Sequence, residues 1–119
     1  MGKFTFRKEE KLTKEKHIQE LFDKGSSFYL FPFKVFYLPN PDSKYPNHQV
    51  LITVSKKNYK RAVDRNLIKR RMRESYRHQK HELPEGPKLW IGYVYSHREI
   101  LQQEEMENKM LKTFARIAK

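Results

Sequence analysis

The stretch that decides the fold is residues 49–80, which read QVLITVSKKNYKRAVDRNLIKRRMRESYRHQK. Its first part, Gln49–Val54, is rich in apolar and β-branched residues and predicts a buried strand. From about Arg61 to Lys80 the apolar residues recur at helical spacing, which predicts one long amphipathic helix. A strand that leads through a short loop into a long helix indicates a fold that mixes both kinds of element.

Further elements are predicted before this stretch. Thr13 is expected to cap a helix that runs to about Lys24, and Gly25 is expected to end it. The aromatic run 28–38 is expected to form a short strand and then a longer one, because Pro32 interrupts it. A loop rich in proline and asparagine then leads into the central stretch.

The segments after the central stretch complete the pattern. Residues 83–87 predict a turn, and Leu89–Tyr95 predicts a strand. Ser96 and Glu99 match a capping box, and a last helix is expected after them. Its predicted apolar face is formed by Met110, Leu111, Phe114 and Ile117. The element order is therefore α-β-β-β-α-β-α, a small α+β sandwich around one sheet, in a single domain over residues 1–119.

Positive charge is concentrated in the predicted central helix and the loop before it. The chain has 119 residues, of which 26 are Lys or Arg and 14 are Asp or Glu, and its net charge is +12. Residues 55–81 alone hold 11 of the basic residues and 2 of the acidic ones. A helix that is merely solvated usually mixes charges of both signs. The run therefore favours a localised binding site for a polyanion over a solvated face.

The cations of the predicted helix gather on one side. At 100° per residue they occupy an arc of about 140°, while Leu67, Ile68, Met72 and Tyr76 fall mainly on the other side. Arg71 falls inside the apolar arc, where its stem is expected to lie along the surface. The cationic arc contains Arg65, Asn66, Lys69, Arg70, Arg73 and Arg77.

Other chemistry finds little support. His78 and His81 have metal-ligand spacing but no arranged third ligand, and no metal site is predicted. The acidic residues Glu104, Glu105 and Glu107 are expected to form a solvated helix face rather than a nuclease site. Motifs for phosphate loops or hydrolases are absent, so no catalytic residue is predicted. The chain has no cysteine and no apolar run near the ~20 residues of a membrane span, so a cytoplasmic protein is expected.

The central stretch also resembles a known family. Residues 54–57 (VSKK), 61–70 (RAVDRNLIKR) and 73–74 (RE) are similar to the signature of the bacterial ribonuclease P protein subunit. Weaker similarity extends over nearly the whole chain. The resemblance implies a two-layer α/β sandwich with a four-stranded sheet, like the second domain of a small-subunit ribosomal protein. It also implies a left-handed β-α-β crossover that carries the basic helix, against the general right-handed rule.

The same resemblance implies a function and its partners. Proteins of this family assist a catalytic RNA in the endonucleolytic removal of the 5′ leader from precursor tRNA, with catalysis by the RNA and Mg²⁺. The implied partners are the catalytic RNA and precursor tRNA, with neither DNA nor a membrane. From the residues alone, a structural rRNA-binding protein of similar fold and a protein-only nuclease remain as alternatives.

Site residues follow from the resemblance position by position. Phe22 and Phe36 match aromatic positions of the implied leader cleft, and Ile18 stands where the family often has Phe. Lys34 is added to the predicted cleft. Lys34 and Phe36 share a strand face by the period of two, although Phe22 and Phe36 taken without the family would rather be core residues. The implied RNA-binding residues are Lys56, Lys57, Arg65, Asn66, Lys69, Arg70 and Arg73. The neighbouring cations Arg61 and Arg77 are added to the predicted RNA-binding site.

Two positions depart from the family pattern. Residues 58–61 (NYKR) replace a usual Gly-Asn pair and are longer by one residue, which changes the path of the loop into the helix. Arg71 stands where the family prefers an apolar residue. We expect it either to loosen local packing or to extend the RNA contact.

Overall fold

The elements of the fold follow the predicted order. The protein is described by a computed structural model that covers residues 8–42, 44–83 and 86–118. Over these ranges the helices are α1 (Glu15–Lys24), α2 (Ala62–Gln79) and α3 (Gln103–Ile117). The strands are β1 (Ser26–Leu30), β2 (Phe33–Pro39), β3 (Gln49–Val54) and β4 (Leu89–Tyr95). The predicted α+β class and the four strands are confirmed, and Pro32 separates β1 from β2 as expected.

The four strands form one mixed sheet. Their order across it is β1-β2-β4-β3, and only the β3–β4 pair is parallel. Helix α2 connects these two neighbouring parallel strands, as the family resemblance implies. The left hand of this crossover stays a prediction.

One face of the sheet forms the main hydrophobic core. Phe33 and Val35 of β2 and Tyr93 of β4 are fully buried there, beneath α2 and α3. Two of the buried tyrosines have hydrogen-bonded hydroxyl groups: that of Tyr93 lies 2.6 Å from Thr113 Oγ1, and that of Tyr95 donates to a backbone carbonyl. Burial raises the pKa of Tyr95 to about 12. Both side chains therefore stay neutral and fasten the sheet to α3 and the loop before it.

Helix α1 lies on the opposite face of the sheet and so adds a third layer to the predicted two-layer sandwich, which the sheet forms with α2 and α3. Leu21 is fully buried over Gly92 of β4, where a Cβ atom would lie 3.1 Å from its Cδ2. Gly25 ends α1 as predicted, and a Cβ there would lie 2.5 Å from the Leu21 carbonyl oxygen and 3.0 Å from that of Tyr37. The two glycines let α1 and the chain that follows it approach the sheet closely.

The predicted helix starts were wrong at both ends of the chain. Helix α1 begins at Glu15 with Lys14 at its N-cap position, so Thr13 does not cap it. The Ser96 hydroxyl donates instead to the Val94 carbonyl, seven residues before α3 begins at Gln103. Neither helix has a side-chain cap hydrogen bond. Both are held in place by packing on the sheet, which makes a weak sequence signal for a cap misleading.

Three smaller expectations concern the rest of the chain. Leu111 was placed on the buried face of α3, but it is 41% exposed and Thr113 takes the buried position. Pro84 and Glu85 of the predicted turn lie outside the described residues. In the described parts, no helix has both the length and the apolar character that crossing a membrane requires.

Candidate nucleic-acid interface

Helix α2 turns one side to the core and presents cations on the other. Its buried residues are Ile68, Met72, Ser75 and Tyr76. The exposed polar residues Asn66, Arg70 and Arg73, with half-buried Lys69, lie away from that core, and Lys56 and Lys57 are exposed in the preceding loop. We call these six residues the basic face. Over the described residues, none of its five cations forms an ion pair.

Arg65 has a different place from the one expected. It is half-buried, and its Nη1 donates to the carbonyl oxygens of Tyr59 at 2.8 Å and Lys60 at 2.7 Å. Arg65, which the helical arc groups with the outward-facing cations, is therefore bonded to the loop before its own helix. Its guanidinium group holds the loop that carries Lys56 and Lys57, so Arg65 positions the basic face.

Tyr59 anchors the lengthened loop from the other side. It is 7% exposed, and its ring centroid lies 6.1 Å from that of Tyr95 in the core. Its hydroxyl has no hydrogen-bond partner among the described residues, and burial raises the pKa of Tyr59. The loop that departs from the family pattern is thus fixed by a buried ring and by Arg65, which settles its path into α2.

The remaining predicted cations of this region are tethered to acidic residues. Arg77 Nη2 lies 2.7 Å from Glu74 Oε2, and this hydrogen bond holds the pKa of Glu74 below its usual range. Arg61 forms a looser pair with Asp64 at 3.8 Å and is well exposed. These two arginines carry less uncompensated charge than the basic face.

Arg71 connects α2 to the chain before α3. It is half-buried within the apolar side of α2, and its Nη1 donates to the Leu101 carbonyl at 2.6 Å. The amide of Gln103 donates to the Arg71 carbonyl at 3.0 Å. Its charged end makes a contact within the protein. Arg71 thus tightens local packing instead of loosening it.

A second candidate surface lies on the α1 side of the sheet. The rings of Phe22 and Phe36 meet edge to face, with centroids 4.7 Å apart, and Lys34 Nζ lies 5.4 Å from the Phe36 centroid. Phe22 is 37% exposed and Phe36 is half-buried. Ile18 packs beside them in a small cluster under α1. We call these four residues the aromatic cleft, and the structure brings all of them together.

Sequence reasoning missed Tyr29 at the border of this cleft. Tyr29 pairs with Lys34 across β1 and β2, and its side chain is 55% exposed. Directly paired residues lie on the same face of a sheet, so Tyr29 adds an aromatic ring next to Lys34. Alternation within β1, where Phe28 packs on the core, was the signal that could have found it.

The residues considered for metal binding make other contacts or are exposed to solvent. His78 Nδ1 lies 3.4 Å from Glu107 Oε2 and thereby links α2 to α3, while Glu104 and Glu105 are exposed on α3. Within the ranges that the structure describes, no three His, Asp or Glu side chains are grouped as metal ligands.

Comparison with known proteins decides the family. The family model described as Ribonuclease P matches residues 6–118. The chain belongs to the ribonuclease P protein family. Similar relatives are the ribonuclease P protein components of Porphyromonas gingivalis, 31% identical over 97% of this chain and 88% of that protein, and of Pseudoalteromonas atlantica, 33% identical over 100% and 95%.

Solved ribonuclease P proteins share the fold. The protein from Staphylococcus aureus is 26% identical, with a TM-score of 0.72 over 92% of this chain and 95% of that one. The protein from Thermotoga maritima is 23% identical and matches the fold with a TM-score of 0.75 over 90% and 96%. The interpretation of this chain as a ribonuclease P protein component is confirmed.

Proposed function

We propose that this chain binds the catalytic RNA of ribonuclease P through its basic face and the 5′ leader of precursor tRNA in its aromatic cleft. The observation that carries the proposal is the basic face itself, whose five cations on α2 and the loop before it form no ion pair among the described residues. Such an arrangement costs self-repulsion in the isolated protein and is stabilised by phosphate groups.

The basic face suits contacts to phosphates. Arg70 and Arg73 can each donate two parallel hydrogen bonds to a phosphate, while Lys56, Lys57 and Lys69 act as point charges. Arg65 keeps the two loop lysines next to the helix through its bonds to Tyr59 and Lys60. Binding of this kind releases counterions and weakens steeply as salt is added.

The aromatic cleft suits an unpaired strand. Bases stack on aromatic rings whatever their identity, and a neighbouring cation pairs with the backbone phosphate. Phe22 and Phe36 supply the rings, and Lys34 supplies the cation at the same place. A mature tRNA has no leader to place there, so the cleft favours the precursor.

We assign the chemistry of cleavage to the RNA. The Mg²⁺ that the family resemblance implies would be held mainly by the RNA and would supply activation of the attacking water. The protein's cations reduce repulsion between catalytic RNA and substrate, and its cleft positions the leader. Its place of action is the cytoplasm, where precursor tRNA is processed.

Reconstitution tests this function. The purified protein is combined with a bacterial ribonuclease P RNA at low Mg²⁺, where RNA–RNA repulsion is strongest, and release of the 5′ leader is measured. We expect cleavage with both components and none with either alone. Cleavage by the protein alone would identify a protein-only nuclease, and the same affinity for precursor and mature tRNA in the complex would favour an rRNA-binding protein.

The Phe36→Ala variant tests the cleft. Loss of one stacking ring is expected to reduce the holoenzyme's preference for precursor over mature tRNA by about tenfold, because a stacked base contributes roughly 1–3 kcal/mol. The measurement is the ratio of the two dissociation constants. Phe28→Ala removes a ring that packs on the opposite face and should leave the ratio unchanged. An unchanged ratio for Phe36→Ala would show that this ring only fills the core.

A further inference from the structure

Helix α2 carries two apolar residues on its outer side that do not belong to the hydrophobic core. Val63 is 67% exposed and Leu67 is half-buried, one turn further along. Val63 lies nine residues before the fully buried Met72, which places the two on opposite sides of the helix. Leu67, which the helical arc places mainly on the apolar side, is only half-buried and does not belong to the main core.

Helix stability gives no reason for an exposed valine. A β-branched residue has a lower helix propensity than alanine or lysine, and an exposed one recovers nothing through packing. Repulsion from the neighbouring cations is relieved by acidic residues, not by apolar ones. An apolar side chain at this place gains stability when a partner covers it.

The two residues line a shallow groove together with polar groups, and we call their apolar surface its floor. The groove has a volume of about 520 Å³ and is lined by Val63, Asn66, Leu67, Arg70 and Arg73. The three polar residues are all exposed. Over the described residues, neither arginine is paired with an acidic side chain. An apolar floor with an amide and two guanidinium groups at its edge is therefore open to a ligand.

We infer that this groove takes an unpaired nucleobase of the RNA that the basic face binds. The positive border selects a polyanion, but a phosphate gains nothing from an apolar floor. A nucleobase fits both parts, because its flat face packs on Val63 and Leu67 while its edge can bond to the Asn66 amide. The inference rests on the proposed function and specifies what the basic face recognises.

A base within a regular RNA duplex does not fit this groove. In an A-form helix the base faces are stacked on one another, and the groove that side chains can enter exposes hydroxyl groups and base edges. The floor formed by Val63 and Leu67 can only be covered by the flat face of a base. The segment bound here is accordingly a loop, bulge or junction in which one base is turned outward.

The test measures RNA affinity for a double variant, Val63→Ala with Leu67→Ala. The dissociation constant for a bacterial ribonuclease P RNA is determined at several salt concentrations by filter binding. We expect a loss of about tenfold with an unchanged salt dependence, because a stacking contact is removed and no phosphate contact is. Leu111→Ala, at an exposed leucine of α3, should leave the affinity unchanged.

The outcomes distinguish a failure of the proposed function from a failure of the nucleobase inference. If the wild-type protein does not bind the RNA, the proposed function fails and the groove with it. If the wild type binds and the double variant binds equally well, only the nucleobase inference is overturned. A loss of affinity with a shallower salt dependence also overturns it, since phosphate contacts would then have been lost. The affinity of the single Val63→Ala variant is measured as a control, because this side chain is exposed and its removal should not cause misfolding.

Discussion

Replacing Arg70 and Arg73 together by alanine is expected to weaken binding of ribonuclease P RNA about 100-fold. Each guanidinium group is exposed and forms no ion pair among the described residues, so each is available to a phosphate. A hydrogen bond to a charged group contributes roughly 1.5–3 kcal/mol, and two at the lower limit give this loss. The measurement is the dissociation constant as a function of salt, whose slope should fall by about two.

A matched control separates a local site from total charge. Lys112→Ala with Arg116→Ala also removes two exposed cations, but from α3. We expect it to change the affinity less than threefold, because only long-range attraction is reduced and salt screens it. An equal loss in both double variants would contradict the basic face. Thermal unfolding of both variants should remain close to that of the wild type, since these side chains lie outside the core.

The Gly25→Ala variant is expected to be the most destabilising of the single substitutions considered, by about 3 kcal/mol. The added Cβ would lie 2.5 Å from the Leu21 carbonyl oxygen and 3.0 Å from that of Tyr37, and both are backbone atoms. The end of α1 and strand β2 must therefore move apart, and such overpacking costs typically 1–3 kcal/mol or somewhat more. The free energy of unfolding by urea measures the loss.

Gly92→Ala provides an internal comparison. There the nearest atom is Leu21 Cδ2 at 3.1 Å, the end of a side chain that can shift. We expect a loss of about 1 kcal/mol, smaller than that for Gly25→Ala. The reverse order would show that α1 is not held against β2 in the way described. Since α1 carries Phe22, we also expect Gly25→Ala to weaken binding of the leader in the reconstituted enzyme.

The elements of this protein could be predicted because their signals are local. The strands over Gln49–Val54 and Leu89–Tyr95 begin and end where composition placed them, and α2 differs from its predicted range by one residue at each end. Runs of β-branched residues and apolar residues at helical spacing depend only on the neighbouring sequence. The helix starts at Thr13 and Ser96 failed because packing on the sheet, not a capping side chain, decides where these helices begin.

The candidate site could be predicted in part. The concentration of charge in residues 55–81 is visible in the sequence, and the family motif adds the positions. The helical arc could not reveal which cations are committed within the protein. Arg71 bonds to the carbonyl of Leu101, thirty residues away, and Arg65 bonds to the loop before its own helix. Such partners depend on how the chain folds back on itself.

The amino-acid sequence by itself determined the order of strands and helices, the charge of α2 and the family to which the chain belongs. The tertiary structure alone decided which basic residues remain available to RNA, and that Phe22 and Phe36 meet in one cleft. The physical reason is that periodicity fixes the direction of a side chain relative to its own helix or strand. Its partners come from segments that are distant in sequence and adjoin only in the folded protein.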